Sequence, residues 1–131
     1  MNFKDLCELA ITATDKSYSP YSGCKVGAAL LTKGGKIYTG CNIENASFSP
    51  TICAERVAFA KAVSEGEREF KAIAIAAKKD GKLATFTPCG VCRQVMSEFC
   101  DDDFTVLVVT GDGVYEEYTL AELLPASFKL D

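Results

Sequence analysis

The sequence predicts one α/β domain, a mixed sheet with helices on both faces. Three observations carry this. Segments of helical and strand period alternate in the order αββαβαββα, with helices among the strands rather than apart from them. Residues 70 to 78 (FKAIAIAAK) form a continuous apolar run of strand length, as in a doubly covered sheet. Two short glycine turns join strand pairs, so antiparallel hairpins accompany at least one parallel crossover. The 131 residues make a single domain, 1–131, with no room for a second.

The elements follow in order. Phe3, Leu6, Cys7, Ala10 and Ala13 recur at spacings of three and four, which makes 3 to 16 an amphipathic helix. Pro20 and Gly23 make SYSPYSG (17 to 23) a turn. VGAALLT (26 to 32) and KIYTGC (36 to 41) flank Lys33-Gly34-Gly35 and read as a hairpin. The polar, serine-rich stretch 42 to 52 is a loop leading to CAERVAFAKAVSEG, a helix closed by Gly66. After the strand 70 to 78, KDGKLATFT reads as a loop, and Pro88 favours the first turn of a helix over 88 to 100. FTVLVVT (104 to 110) and VYEEYT (114 to 119) flank Gly111-Asp112-Gly113 as two strands, and Thr119 to Glu122 matches a capping box opening a last short helix.

Composition narrows the function. With 48% hydrophobic and 24% charged residues the chain is an ordinary globular protein and not a disordered one. A net charge of −4 provides no basic field for nucleic acid, and no apolar window approaches the roughly 20 residues that span a bilayer. Seven cysteines without a secretory pattern point to a cytoplasmic chain whose thiols stay reduced for metal binding or reactivity. There is no histidine, so a transition-metal site must be built from thiolates and carboxylates, and a proton shuttle must use a group other than imidazole.

In Pro88-Cys89-Gly90-Val91-Cys92 two thiols three apart at a helix start face one side and can reach a single ion. Alone, the pair is equally a redox dithiol or half of a structural zinc site. Cys53-Ala54-Glu55 adds a third thiol at another helix start with a carboxylate two residues on, and Cys89 follows that carboxylate by 34 residues. This arrangement resembles the three-cysteine form of the zinc deaminase signature. Three protein ligands leave zinc's fourth tetrahedral position for water, and a carboxylate outside the ligand set handles the protons. Taken singly, Cys53 is a small core residue and Glu55 an acid complementing a helix N-terminus. A four-cysteine structural zinc stays open, with Cys24 or Cys41 as the fourth ligand.

Five ordered blocks extend the resemblance over nearly the whole chain: PYSGCKVGAALL (20 to 31), GCNIENASFS (40 to 49), CAER (53 to 56), PCGVCRQ (88 to 94) and ELLPASF (122 to 128). Together they resemble a cytidine deaminase of the small, three-thiolate, homotetrameric type. The resemblance implies a three-layer αβα fold with a mixed five-stranded sheet, and zinc-dependent hydrolysis of cytidine and deoxycytidine to uridine and deoxyuridine in pyrimidine salvage. By the same resemblance Cys53, Cys89 and Cys92 bind zinc, Glu55 shuttles protons, and Asn42 and Glu44 hold a ribose hydroxyl. Ala54 belongs to the substrate site, and Phe128 helps close a neighbouring subunit's site. The partner is a small nucleoside, with no nucleic acid and no membrane.

Zinc with three thiolates carries a formal charge of −1, a poor activator of water, so a compensating cation is expected. Arg56, next to Glu55, is the candidate: a unit charge 4 Å away is worth at most roughly 4 kcal/mol at an effective dielectric of 20. The family usually has phenylalanine where this chain has Cys24, and often tyrosine where it has Phe48. Both changes reshape the base pocket and keep open a bulkier cytosine compound, such as a blasticidin-like antibiotic, as substrate. Readings from other classes are a zinc-stabilised binding protein and a thiol redox protein using Cys89 and Cys92.

Overall fold

The computed structural model describes residues 1–130. Helix α1 (Phe3–Ala13) opens at Asn2, whose side chain accepts a hydrogen bond from the Asp5 amide at 2.8 Å, and ends in a single 3-10 turn, Thr14–Lys16. The hairpin β1 (Cys24–Thr32) and β2 (Ile37–Cys41) leads through the loop to α2 (Ala54–Ser64). Strand β3 (Phe70–Lys79), a short β4 (Lys82–Ala84) and α3 (Gly90–Phe99) follow, then β5 (Thr105–Gly111), β6 (Val114–Thr119) and α4 (Leu120–Leu123). The capping box at Thr119 and Glu122 forms as expected.

Five strands lie in the order β2-β1-β3-β5-β6, and β4 adds a sixth beside β3. Of these strand pairs β3–β5 is parallel; β1–β2, β1–β3, β3–β4 and β5–β6 are antiparallel. Two differences from the sequence reading have local causes. The expected loop after β3 is a hairpin, because Asp80 and Gly81 both take positive φ (53° and 75°), the two-residue turn that returns a strand on itself. β4 then pairs with Ala77–Lys79, beyond the stretch Ala72–Ile75 that pairs with β5. Helix α3 begins after Pro88 and not with it, because Cys89 is extended (φ −68°, ψ 166°) and serves as the N-cap.

Strand periodicity sorts the core into two layers. Ala29 and Leu31 of β1, Ala72, Ala74 and Ala76 of β3, and Leu107 and Val109 of β5 face Leu6, Cys7 and Ala10 of α1. The intervening residues Ala28, Leu30, Ile73, Ile75, Val106 and Val108 face α2 and α3. The far half of α2 is anchored by Phe59, whose ring meets Phe70 edge-on at 5.0 Å and stacks on Phe99 at 6.2 Å. Such pairs are worth about 0.5–1.5 kcal/mol each beyond their burial.

The near half of α2 is set by Gly40 in β2. A Cβ there would stand 2.5 Å from the Ala54 carbonyl oxygen and 2.7 Å from the Ala58 nitrogen, so only glycine lets the helix lie this close. Gly40→Ala is therefore expected to push the start of α2 off the sheet at a cost of about 3 kcal/mol. A wild-type midpoint in urea unfolding would contradict this.

Candidate active site

Cys53 and Cys89 occupy matching places, each the extended N-cap of a helix and neither making a side-chain cap hydrogen bond. Cys92 lies one turn into α3, its side chain 1% exposed. The sheet thus presents two helix N-termini side by side, and the positive ends of both peptide dipoles point at the sulfurs. Sγ of Cys53 is 3.8 Å from that of Cys89, which is 3.5 Å from that of Cys92, and all three lie within 4.8 Å of one another. Tetrahedral zinc with ligands at about 2.3 Å requires sulfurs about 3.8 Å apart, so the donor set fits zinc in both chemistry and spacing. Among the described residues Cys24 and Cys41 do not join this group, which leaves three protein ligands.

The protons in the cluster are unevenly held. Cys53 is lowered to about 5 by the hydrogen bond from Cys92 and, against the cost of burial, by Arg56. Cys92 is pushed up, first by its bond to the Cys53 sulfur and then by burial. Nη2 of Arg56 donates to Cys53 Sγ at 3.4 Å, bringing the expected cation onto a ligand sulfur. Glu55 is 4% exposed, and burial pushes its carboxyl to about 7, with the Cys53 thiolate adding to the rise. A carboxyl poised near neutrality both takes and gives protons at working pH.

Glu55, Cys53 and Cys89 line an open hollow of about 320 Å³, the lower end of the size range of small-molecule sites. Asn42 and Glu44 lie on the same hollow. Asn42 Oδ1 accepts from the Val26 amide at 2.9 Å and from the Ser17 hydroxyl, while Nδ2 donates to the Cys24 carbonyl at 2.9 Å. The Glu44 carboxylate accepts from the amides of Tyr21 (2.9 Å) and Ser22 (3.1 Å) and from the Ser22 hydroxyl. These bonds, the Ser22 hydroxyl foremost, hold its carboxyl below the usual range.

The other expected substrate residues are not on these walls. Ala54 is wholly buried between Cys53 and Glu55. The Cys24 side chain does not line the hollow. Phe48 lies 83% exposed on an adjoining apolar hollow that shares Glu44 and Thr51 with the first. Phe128 is 66% exposed at the chain's end. The remaining wall comes from Val26, Ile52, Ile75, Phe86 and Thr87, which the sequence reading passed over. Phe86 and Thr87 carried one signal, their place directly before Pro88-Cys89.

Comparison with known proteins agrees with this geometry. Residues 2–108 match the family model described as cytidine and deoxycytidylate deaminase zinc-binding region. A cytidine deaminase of Sporosarcina psychrophila is 48% identical over 128 residues, covering 98% of this chain and 92% of the relative. One from Halalkalibacterium halodurans is 47% identical over 128 residues, covering 98% and 95%. The crystal structure of cytidine deaminase from Burkholderia pseudomallei superposes with a TM-score of 0.89 at 42% identity, covering 98% of this chain and all (100%) of that one. With three thiols spaced for zinc, a buried carboxyl beside them and these likenesses along its length, the chain belongs to the zinc-dependent cytidine and deoxycytidylate deaminase family.

Proposed function

We propose that this chain hydrolyses the 4-amino group of cytidine and deoxycytidine, yielding uridine or deoxyuridine and ammonia. The observation that carries the reading is the Glu55 carboxyl, buried and titrating near 7, facing the same hollow as Cys53 and Cys89. Zinc held by Cys53, Cys89 and Cys92 would supply Lewis-acid activation of water there. Glu55 accepts a proton from the attacking water and delivers it to N3 of the base, then takes the remaining proton from the new C4 hydroxyl and passes it to the departing amino nitrogen as the C4 carbonyl forms. Its burial keeps bulk water from competing for that proton.

Asn42 and Glu44 serve as the sugar clamp. Their bonds to the backbone of residues 21–26 fix both side chains before substrate arrives, and the lowered pKa keeps Glu44 ionised as a hydroxyl acceptor. Neither Cys24 nor Phe48 adds a side chain to the hollow, so the base packs against Val26, Ile52, Ile75 and Phe86. Tyr21 and Phe48, 60% and 83% exposed, share one apolar hollow, and Phe128 is 66% exposed. We read this surface as the contact zone of a homotetramer in which Phe128 of one copy closes the site of another. Seven free thiols suit pyrimidine salvage in the reducing cytoplasm.

Ammonia release measured with zinc-loaded protein across cytidine, deoxycytidine, CMP and blasticidin-like substrates tests the reading. The two nucleosides should give the highest kcat/KM. Preference for CMP or the antibiotic, or no turnover, would overturn it. The structural-zinc and redox alternatives are not favoured, since neither accounts for a buried acid beside the thiols.

Arg56→Ala should lower turnover or zinc retention and move the acidic limb of the pH–rate profile upward. Losing a cation that withdraws charge from Cys53 makes the reacting water harder to deprotonate. A third of the roughly 4 kcal/mol ceiling is about one pKa unit. Unchanged turnover, zinc content and pH profile would remove this role.

A further inference from the structure

The two N-cap cysteines pose the same mechanical problem. A Ser, Thr, Asp or Asn at a helix N-cap orients itself by hydrogen bonding to the first turn. Neither cysteine does so here, and each must instead aim its sulfur at a common point. The direction of each sulfur therefore depends on how firmly the peptide groups around it are held.

At Cys53 the backbone supplies the hold. The preceding residue, Ile52, exchanges two hydrogen bonds with Ile43, each 3.0 Å, as a small antiparallel bridge. At Cys89 the preceding residue is Pro88, which has no N–H and cannot make such an exchange. Its carbonyl is the one main-chain group left to hold, and Nε of Arg93 donates to it at 2.7 Å. The Arg93 backbone amide donates to the Cys89 carbonyl at 3.0 Å. That amide bond is the ordinary first bond of the helix, matched at Cys53 by the Val57 amide at 3.1 Å, so what sets this end apart is the side-chain bond to Pro88. Nη1 of Arg93 is anchored in turn on the Leu123 carbonyl at the end of α4, at 2.6 Å. The planar guanidinium reaches the two diverging carbonyls from separate nitrogens, Nε and Nη1, held in a fixed fork, whereas a lysine ammonium donates from a single point.

We propose that Arg93 is a positioning residue that sets the direction of the Cys89 sulfur and, through Pro88, the placement of Phe86 and Thr87 on the pocket wall. It takes the part that the Ile43–Ile52 bridge plays for Cys53. The same bonds give a physical reason for the pairing of two sequence blocks, PCGVCRQ and ELLPASF. The adjacent Gln94 ties α3 to the same C-terminal stretch, its Nε2 donating to the Phe128 carbonyl at 3.0 Å, but it touches neither Pro88 nor Cys89. Gln94→Ala is therefore the control for general loosening of that stretch.

This inference rests on the three-thiol reading of the metal centre, and the experiment separates the two. Zinc affinity of wild type, Arg93→Ala, Arg93→Lys and Gln94→Ala is measured by competition with a chromophoric chelator. The thiolate-to-metal charge-transfer bands of the cobalt-substituted proteins are recorded alongside. Wild type should bind one equivalent per chain with cobalt bands of three-thiolate intensity; if it does not, the metal-centre reading itself fails. Given that, Arg93→Ala should bind zinc about 10–100-fold more weakly, the usual range for loss of a group that orients a ligand, with displaced cobalt bands. Gln94→Ala should stay within about twofold, well below that range. Wild-type affinity and bands in Arg93→Ala, or an equal loss in Gln94→Ala, would overturn the proposal. Should Arg93→Ala fail to fold, Arg93→Lys decides: a weakened site with shifted bands supports the fork, and wild-type behaviour refutes it.

Discussion

Glu55→Gln is expected to reduce turnover by about 10⁴-fold, the upper end for one positioned acid–base group, because the same carboxyl acts on more than one proton. Zinc content should not change, since Glu55 is not among the three clustered thiols. The same substitution should stabilise the metal-free protein at neutral pH. Burial raises the Glu55 carboxyl from 4.5 to about 7, so the folded chain holds this proton more tightly than the unfolded chain does. Between those two values the unfolded state ionises first and stability falls as pH rises; above 7 the penalty is complete, and below 4.5 it is absent. Two and a half units correspond to roughly 3 kcal/mol at most. Urea unfolding of the two metal-free proteins at pH 8 and pH 4 measures this: the variant should be the more stable at pH 8, and the gap should close by pH 4. Retained activity, or a variant no more stable than wild type at pH 8, would contradict the assignment of Glu55 as a buried acid kept for chemistry.

The second large effect belongs to Cys92. Replacing it with alanine removes one of three ligands and leaves Cys53 and Cys89 to hold the ion. Structural zinc sites with four ligands yield about 10–16 kcal/mol, or roughly 3–4 kcal/mol per ligand, so affinity should fall by about 10²–10³-fold. Deamination at limiting zinc should fall with it. Because Cys92 is 1% exposed and packs in the core layer between α2 and α3, cavity formation also contributes. Cys100→Ala, just past the end of the same helix, is the control: it is 6% exposed in the same layer but not among the clustered thiols. It should lose stability while keeping zinc. Equal zinc loss in the two variants would mean that the affinity reports on packing and not on ligation.

What was legible in the sequence follows from which interactions demand particular residue types. Metal ligation needs thiols at set helical spacing, so Cys53, Cys89 and Cys92 stand out along the chain. The two-layer core was legible because a continuous apolar run of strand length at 70 to 78, set among helical segments, marks a sheet covered on both faces. The β3–β4 hairpin was missed although Asp80-Gly81 announces it, because KLA is too short to show alternation. Val26, Ile52, Ile75 and Phe86 line the hollow as apolar residues with no chemical mark, and only the folded chain brings them together. Arg93 was hidden for a different reason. Its partners are main-chain carbonyls, which every residue carries and none advertises.

The short β4 fixes one distance in the enzyme. It ends at Ala84, and five residues later the chain must deliver the Cys89 sulfur. A span of that length reaches about 17 Å when fully stretched, so residues 85–88 act as a tether of bounded length along the pocket wall. Inserting or deleting a residue there would move a metal ligand, whereas the Lys33-Gly34-Gly35 turn at the other end of β1 has no such duty. Substrate range in this enzyme is therefore open to adjustment by exchanging side chains along the tether, and closed to adjustment by changing how long it is.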